Sequence, residues 1–428
     1  MPRGYARYAL VVMVGINFLN YLDRFVPAVT GPLIQKEFHL SDTKAGALAT
    51  AFLLVYAISA LPFGIWADRW VRKNIVAIGV AIWSVATVLT ALSHNYFHLF
   101  LGRAVVGIGE ASYYPAGTSL LSDYFPKESR ARALAIWNVG TALGIAVGFA
   151  GGGLIAARFG WRAAFLTTAV PGLLFAILAY RLREPLRGSA ESRGPQLEAV
   201  ADANFTNFVG LLRNPTLMIT IASQVPLYFV LGANANWLSF FLNRTFHLSI
   251  VEAGLVVGGV LVGGGLLGPL AGGWLATRWQ RRSEGANLQV GILGSLLGAV
   301  FVGIGLLAPS LTIFVPALFC GVVCLYLYAG PYTAISQNVV VPSLRASAVT
   351  LSLLISHLLG DAGAPTIVGL LSDHIGGLRP ALLITSIPLL LISAGVASLG
   401  LRTIGRDTRL AEETWAAGPL EPVPAALP

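Results

Sequence analysis

Twelve apolar runs, each long enough to cross about 30 Å of hydrocarbon, follow one another along this 428-residue chain with short polar intervals between them. They fall near 8–30, 45–66, 74–93, 97–122, 131–157 and 162–182, then near 216–241, 251–276, 287–308, 311–339, 346–371 and 379–400. A segment in lipid must satisfy its backbone N–H and C=O groups internally, and a run of about 20 residues does so as a helix. The expected fold is an all-α polytopic membrane protein, with 12 transmembrane helices in two pseudo-symmetric six-helix bundles. With 56% hydrophobic and 11% charged residues, the composition excludes a water-soluble globule.

Basic residues set the expected orientation, since Lys and Arg of short loops are retained on the cytoplasmic side. With the N-terminus inside, the outer loops hold only Lys36, Lys44, Arg158, Arg162, Arg244 and Arg379. Arg24 and Arg103 lie within spans, and the rest of the 28 Lys and Arg fall inside. Both termini are therefore expected in the cytoplasm. The net charge of +9 follows from this arrangement, so it implies contact with anionic lipid headgroups and no affinity for nucleic acid. Arg3 and Arg7 precede the first apolar run as in a signal peptide, but no small-residue cleavage site follows, and the run is read as a retained helix.

Polar residues from Arg183 to Pro195 separate two halves. The expected organisation is an N-terminal bundle at 1–182, a cytoplasmic linker at 183–214, a C-terminal bundle at 215–400 and a cytoplasmic tail at 401–428. Within the linker, Leu197, Val200, Ala201, Phe205, Phe208, Val209 and Leu212 have the spacing of an amphipathic helix lying along the membrane face. The block from Gly64 to Lys73 aligns without a gap with the block from Gly273 to Arg282. Gly153, Leu154 and Arg162 are echoed by Gly369, Leu370 and Arg379. Duplicated halves around a central cavity are a common plan for secondary transporters. Gly140, Gly144, Gly148 and Gly152 stripe the fifth span, with Gly254, Gly258 and Gly263 to Gly265 in the eighth. Such stripes permit close helix packing or a sliding surface.

Charges inside spans mark the candidate site, because each costs at least about 2.5 kcal/mol in a bilayer centre and is kept for a purpose. Asp23 and Arg24 lie in the first span, with Arg103 and Glu110 in the fourth. At 1.5 Å rise per residue, Asp23, Arg24 and Arg103 share one depth, and Glu110 lies a turn or two further in. A carboxylate paired with guanidinium stays ionised, and losing that partner raises its affinity for a proton. Asp23 and Glu110 are thus the candidate proton-coupling groups, while Arg24 and Arg103 exchange between them and an anionic substrate. The alternative is a static staple between the two helices. Asn20, Tyr21, Tyr56, Ser112, Tyr113, Asn234, Asn236, Trp237, Tyr328, Tyr332 and Asn338 are candidates to line a cavity, although such side chains also serve as interhelical contacts. Of these, Tyr21, Tyr56, Tyr113, Asn236, Trp237 and Tyr332 join Arg24 and Arg103 as the expected substrate contacts. Asp361 shares a helix face with His357 and is read first as a capping or gating residue, then as a second proton site.

Other chemistry is missing. Cys320 and Cys324 sit one turn apart without further ligands, and His94 and His98 lack an acidic neighbour, so no metal or cofactor is expected. Nucleotide-binding, zinc-protease and esterase motifs are absent. The chain is expected not to be an enzyme, and to be driven by a gradient.

Six plus six helices, the Gly64 to Lys73 loop and Arg103-x-x-x-Gly107-x-Gly109 resemble the major facilitator superfamily across essentially the whole chain. That resemblance implies that Gly64, Asp68, Arg69 and Arg72 form a cytoplasmic gate with neighbouring helix ends such as Arg130, with Asp68 locking the outward-open state. Thr277 replaces the acid in the second half, implying a weaker gate there. Within the superfamily, Asn20 to Arg24, Val106 to Tyr113, Val170 to Leu173 with Arg183-Glu184-Pro185, and Leu359 to Gly363 resemble the spinster family. Its animal members move lysolipids such as lysophospholipids and sphingosine phosphate. It implies a proton-coupled transporter of an amphipathic anion working by alternating access, with Asp23, Arg24, Arg103 and Glu110 at its centre. The same start and the Gly-x-Gly-Glu-Ala stretch are also similar to anion:cation symporters, which carry sugar acids, so a small organic anion is the alternative substrate. Proton, substrate anion and membrane lipids are the expected partners of a monomer. Short loops point to a bacterial inner membrane.

Overall fold

The computed structural model of the chain describes residues 3–187 and 210–416. The expected linker helix falls almost entirely on 188–209 and so lies outside the described residues. Six helices make the first lobe: α1 (Arg3–Glu37), α2 (Asp42–Arg69), α3 (Arg72–Ala91), α4 (Tyr96–Tyr124), α5 (Lys127–Phe159) and α6 (Trp161–Tyr180). The second lobe has α7 (Pro215–Phe246), α8 (Ile250–Gln280), α9 (Ala286–Leu307), α10 (Leu311–Asn338), α11 (Arg345–His374) and α12 (Leu378–Gly400). Eleven of these are long and apolar enough to cross a membrane by composition alone. The twelfth is α4, whose 29 residues include Arg103 and Glu110. Its charges lower its hydropathy, and they are what makes it informative.

Local signals start and stop these helices. Ser41, Asn95 and Asn214 accept hydrogen bonds from the backbone N–H three residues on, and Ser249 forms a reciprocal capping box with Glu252. Gly160, at φ 82°, ends α5 and lets α6 begin at once. Two spans are interrupted. α10 breaks between Tyr326 and Ala329, and α11 contains a π-helical turn at His357–Asp361. Beyond α12, the region read as a tail contains a further helix, α13 (Ile404–Ala416). Asp407 there accepts hydrogen bonds from the N–H and hydroxyl of Thr216 at 3.0 and 2.7 Å, capping the start of α7.

Lipid is as apolar as leucine, so helices in a bilayer associate through close packing and interhelical hydrogen bonds. The first lobe centres on Trp83, Tyr113 and Trp137, whose rings meet edge-on at 6.0 and 5.7 Å. The glycine stripe of α5 serves packing within this lobe: methyl groups at Gly140, Gly144 and Gly148 would meet α1 at 2.8, 2.5 and 3.2 Å.

The lobes meet along two matching seams. On α2 and α11, a methyl group at Gly46 would lie 2.2 Å from the Pro365 carbonyl oxygen, and one at Gly369 would lie 2.4 Å from that of Asp42. On α8 and α5, Gly254 approaches the Phe149 carbonyl and Gly153 approaches that of Ile250, at 2.4 and 3.0 Å. Gly46 and Gly254 stand at equivalent places in the duplicated halves, as do Gly153 and Gly369. Both seams lie at the end of the bundle remote from the termini. Among the described residues, every hydrogen bond crossing between lobes is at that end.

Candidate functional site

Adjacent residues on a helix point about 100° apart, and this splits the four intramembrane charges into two groups. Arg24 turns toward α4, where its Nε and Nη2 both donate to Glu110 Oε2, at 3.1 and 2.8 Å. Asp23 turns toward α3 and α6 and accepts from the hydroxyls of Thr87 and Thr168, at 2.9 and 2.6 Å. Arg103 pairs with neither carboxylate within 4 Å and lies over the Phe52 ring, 4.7 Å from its centroid. The expected exchange set is thus one ion pair, one hydroxyl-bound carboxylate and one guanidinium held against an aromatic face.

Around Arg24 the wall is aromatic. Tyr21, Phe52 and Tyr56 place their rings 5.2, 5.3 and 4.7 Å from the guanidinium carbon, within cation–π range. Phe52 thereby carries both guanidinium groups. The Glu110 side chain is fully buried, whereas that of Arg24 is 20% exposed, so the arginine is the accessible member of the pair. Two buried polar atoms at the pair have no hydrogen-bond partner among the described residues: Glu110 Oε1 and Arg103 Nη1. Orphaned charge-bearing atoms at low dielectric cost several times a surface contact. The site therefore holds an unused acceptor and an unused donor.

Of the other expected contacts, Tyr21 and Tyr56 join this cluster. Tyr113 is packed between tryptophans within the first lobe. Trp237 is buried and donates its indole N–H to the Pro365 carbonyl at 3.0 Å. Asn236 turns its amide back to the Gly232 carbonyl at 2.9 Å. Tyr332 is buried against Gly291 with its hydroxyl unpartnered. These four stand apart from the charged cluster. Asp361 sits in the π-helical turn, 2.8 Å from His357 Nδ1, with its backbone pressed on Gly232. π-Turns recur at functional sites.

At the termini end, Arg72 is a staple within the first lobe. It donates to Glu184 at 2.8 Å, to the Ser119 hydroxyl and the Pro185 carbonyl at 3.0 Å, and to Asp123. It ties the start of α3 to α4 and to the segment leaving α6. Arg130 donates to the Ser122 carbonyl at 2.9 Å. Arg69 is exposed, and Gly64 faces open space. The Asp68 side chain lies outside the described set.

Sequence reasoning missed the cluster that latches the other end. Arg244 of α7 grips Asp42 with two bonds of 2.8 and 2.6 Å and donates to Gln35 at 2.6 Å. Ser372 donates to Asp42 at 2.6 Å, and Asp373 accepts from the N–H groups of Asp42 and Thr43 and the Thr43 hydroxyl. Asp42 follows the helix-starting Ser41, so in sequence it reads only as a favourable first-turn acid. Among the described residues, no three His, Cys, Asp or Glu side chains are grouped to hold a metal.

The profile described as Major Facilitator Superfamily matches residues 13–364. "Protein spinster homolog 1" of Xenopus tropicalis is 32% identical over 393 residues, covering 88% of this chain and 74% of the relative. The chain belongs to the spinster family of major facilitator transporters. The mouse protein named "Sphingosine-1-phosphate transporter SPNS2" is 31% identical over 387 residues, covering 86% of this chain and 70% of that protein. A solved bacterial homologue of human lysosomal Spinster, inward-facing and unoccupied, superposes with a TM-score of 0.76 at 26% identity, covering 98% of this chain and 99% of that one. Membership makes this an integral membrane protein of transporter type. It also makes the glycine seams and the single-ended latch features of a spinster transporter in one of its states.

Proposed function

We propose that this spinster-family chain is a proton-coupled secondary transporter that moves an amphipathic anion, such as a lysophospholipid or a sphingolipid-like phosphate, by alternating access. The observation that carries this reading is the buried Glu110 bonded to a partly exposed Arg24 within an aromatic wall. In this proposal both termini lie in the cytoplasm and the membrane is a bacterial inner membrane, which makes the latched end the outer face and this state one that opens inward. An anion entering from that side meets Arg24 first. It competes with Glu110 for the guanidinium, and a carboxylate that loses its cation in an apolar site takes up a proton. Arg103, with an unused buried donor, then stands ready for the released carboxylate or for the substrate. Asp23 is proposed as the second titrating group. Hydroxyls of Thr87 and Thr168 lie on its carboxyl at 2.9 and 2.6 Å in the present state. Tyr21, Phe52 and Tyr56 supply faces for an apolar chain beside the charge, which favours an amphipathic anion over a small hydrophilic one.

The test is uptake of labelled lysophosphatidylglycerol into proteoliposomes with and without a pH gradient. Glu110→Gln is expected to bring gradient-driven uptake down to the level seen without a gradient while leaving exchange intact. Full pH-driven accumulation in both Glu110→Gln and Asp23→Asn would overturn the coupling scheme.

A further inference from the structure

The second lobe contains a polar cavity that neither the charge pair nor the latch uses. Its volume is about 160 Å³, and its polar wall is made by Gln224 and Tyr228 of α7, Tyr328, Thr333 and Ser336 of α10, and Ser352 of α11. Among the described residues, no acidic or basic side chain lines it. Gln224 lies nine residues into α7, roughly 14 Å from the start of that helix by its rise, in the half of the molecule where the lobes are not bonded together.

The chemistry of this wall is specific. Gln224 is only 4% exposed. Its Oε1 accepts from the hydroxyls of both Ser352 and Ser356, at 3.0 and 2.9 Å. A carbonyl oxygen has two lone-pair directions, so both are taken and the amide NH₂ is turned away from the serines. That NH₂ has no hydrogen-bond partner among the described residues, and the residue that carries it lines the cavity. Thr333 and Ser336 give their hydroxyl protons to the carbonyls of Ala329 and Tyr332, at 2.8 and 3.0 Å, which leaves their oxygens as acceptors. The wall thus presents oriented N–H donors beside hydroxyl acceptors, with no charge and two tyrosine rings. An anionic group would find no counter-charge here. A hydroxyl, which donates and accepts at once, finds both partners.

We propose that this cavity is a hydroxyl-recognising subsite, taking a neutral hydroxylated part of the transported anion, such as a glycerol or sugar moiety. The inference rests on the reading that the chain transports an anion held by Arg24. It divides recognition between lobes: charge is read by α1, and hydroxyls are read by α7, α10 and α11.

The test uses the full chain in detergent micelles and two pairs of probes matched in charge, the one with the added hydroxyls named first as the hydroxylated member: lysophosphatidylglycerol against lysophosphatidylmethanol, and gluconate against hexanoate. The wild type is expected to bind the hydroxylated member of a pair about tenfold more tightly. Gln224→Leu should abolish that preference while leaving the other member's affinity unchanged. Should Gln224→Leu fail to fold, the exposed Thr333→Val is expected to reduce the preference about threefold at unchanged melting temperature. Binding without preference in the wild type, or equal weakening of both members in Gln224→Leu, overturns the subsite. Failure of both lysolipids while gluconate binds removes the lysolipid reading instead, and the subsite is then judged on gluconate against hexanoate. Binding of none of the four overturns both.

Discussion

Replacing Arg244 by Ala should shift the balance between the two faces of the molecule. Its guanidinium makes three hydrogen bonds across the lobes, two to Asp42 and one to Gln35. Exposed ion pairs contribute about 0.2–1 kcal/mol, and hydrogen bonds to charged groups contribute about 1.5–3 kcal/mol. Arg244 is 37% exposed and Asp42 only 9%, in a two-pronged geometry, so the latch falls between those limits, at about 2 kcal/mol. These bonds exist only when this end is closed. Their loss therefore acts on the closed state alone, raising the open-to-closed ratio at this end about 30-fold. A minor open population of about 1% would become about a quarter of the molecules. Spin labels at Lys36→Cys and Ile375→Cys, in a background lacking Cys320 and Cys324, sit on opposite lobes at this end and report that ratio as a second, longer distance by pulsed electron resonance. Asp42→Asn keeps one acceptor and should shift the ratio about fivefold. An unchanged distance distribution in Arg244→Ala would refute the reasoning, because the latch would then contribute nothing to the closed state.

The glycine seam gives a second route to the same shift. Gly46→Ala would put a methyl group 2.2 Å from the Pro365 carbonyl oxygen, an overlap costing about 1–3 kcal/mol in the closed state; Gly273→Ala, which meets nothing within 4 Å, should leave the distances alone. Asp23 supplies a stability test: Thr87→Val or Thr168→Val strips one donor from a buried carboxylate, at a cost of about 1–3 kcal/mol each. Each should lower the melting temperature in detergent, and the control Thr90→Val, whose hydroxyl bonds only its own helix at Ala86, should do so less.

How much of this was legible in the sequence depends on the range of the interaction. Spans and their number follow from hydropathy, a local property, and even the one helix that composition underrates, α4, is betrayed by Arg103 and Glu110. That the four intramembrane charges belong to one region was readable from the spans that carry them, but depth set Glu110 a turn or two away from Arg24, and the structure pairs the two at 2.8 Å. The separation of Asp23 from that pair was not readable, because it depends on which way two neighbouring side chains turn and on two threonines at positions 87 and 168 that carry no signal of their own. Tyr113, Trp237 and Tyr332 illustrate a related limit. An amphipathic ring inside a span suits a cavity wall and a packed core equally, and only the surrounding helices decide. The latch was beyond reach for a different reason: Asp42 and Arg244 are 202 residues apart, and each alone looks like an ordinary charge at the end of a span.

The two seams show what duplication copied and what it left free. Backbone approach is the same in both: glycine against carbonyl, with Gly46 and Gly254 in corresponding places and Gly153 and Gly369 likewise. Side-chain chemistry is not. The α2–α11 seam carries Asp42, Thr43, Ser372 and Asp373, with Arg244 closing over it, whereas Ile250 occupies the place of Asp42 on the α5–α8 seam. Glu252 there is committed to the local cap at Ser249. Directional bonds hold one geometry and break together when the helices part, while apolar contact over glycine tolerates sliding and tilt. Removing the latch should therefore release α2 from α11 with little effect on how α5 meets α8, and rocking of the lobes would pivot on the seam that has no lock. The same divergence runs through the two candidate sites, with the Arg24–Glu110 pair in the first lobe and a wall of hydroxyl and amide groups around Gln224 in the second. A symmetric scaffold thus provides two inequivalent walls, and an amphipathic anion with a hydroxylated head is a solute that can use both.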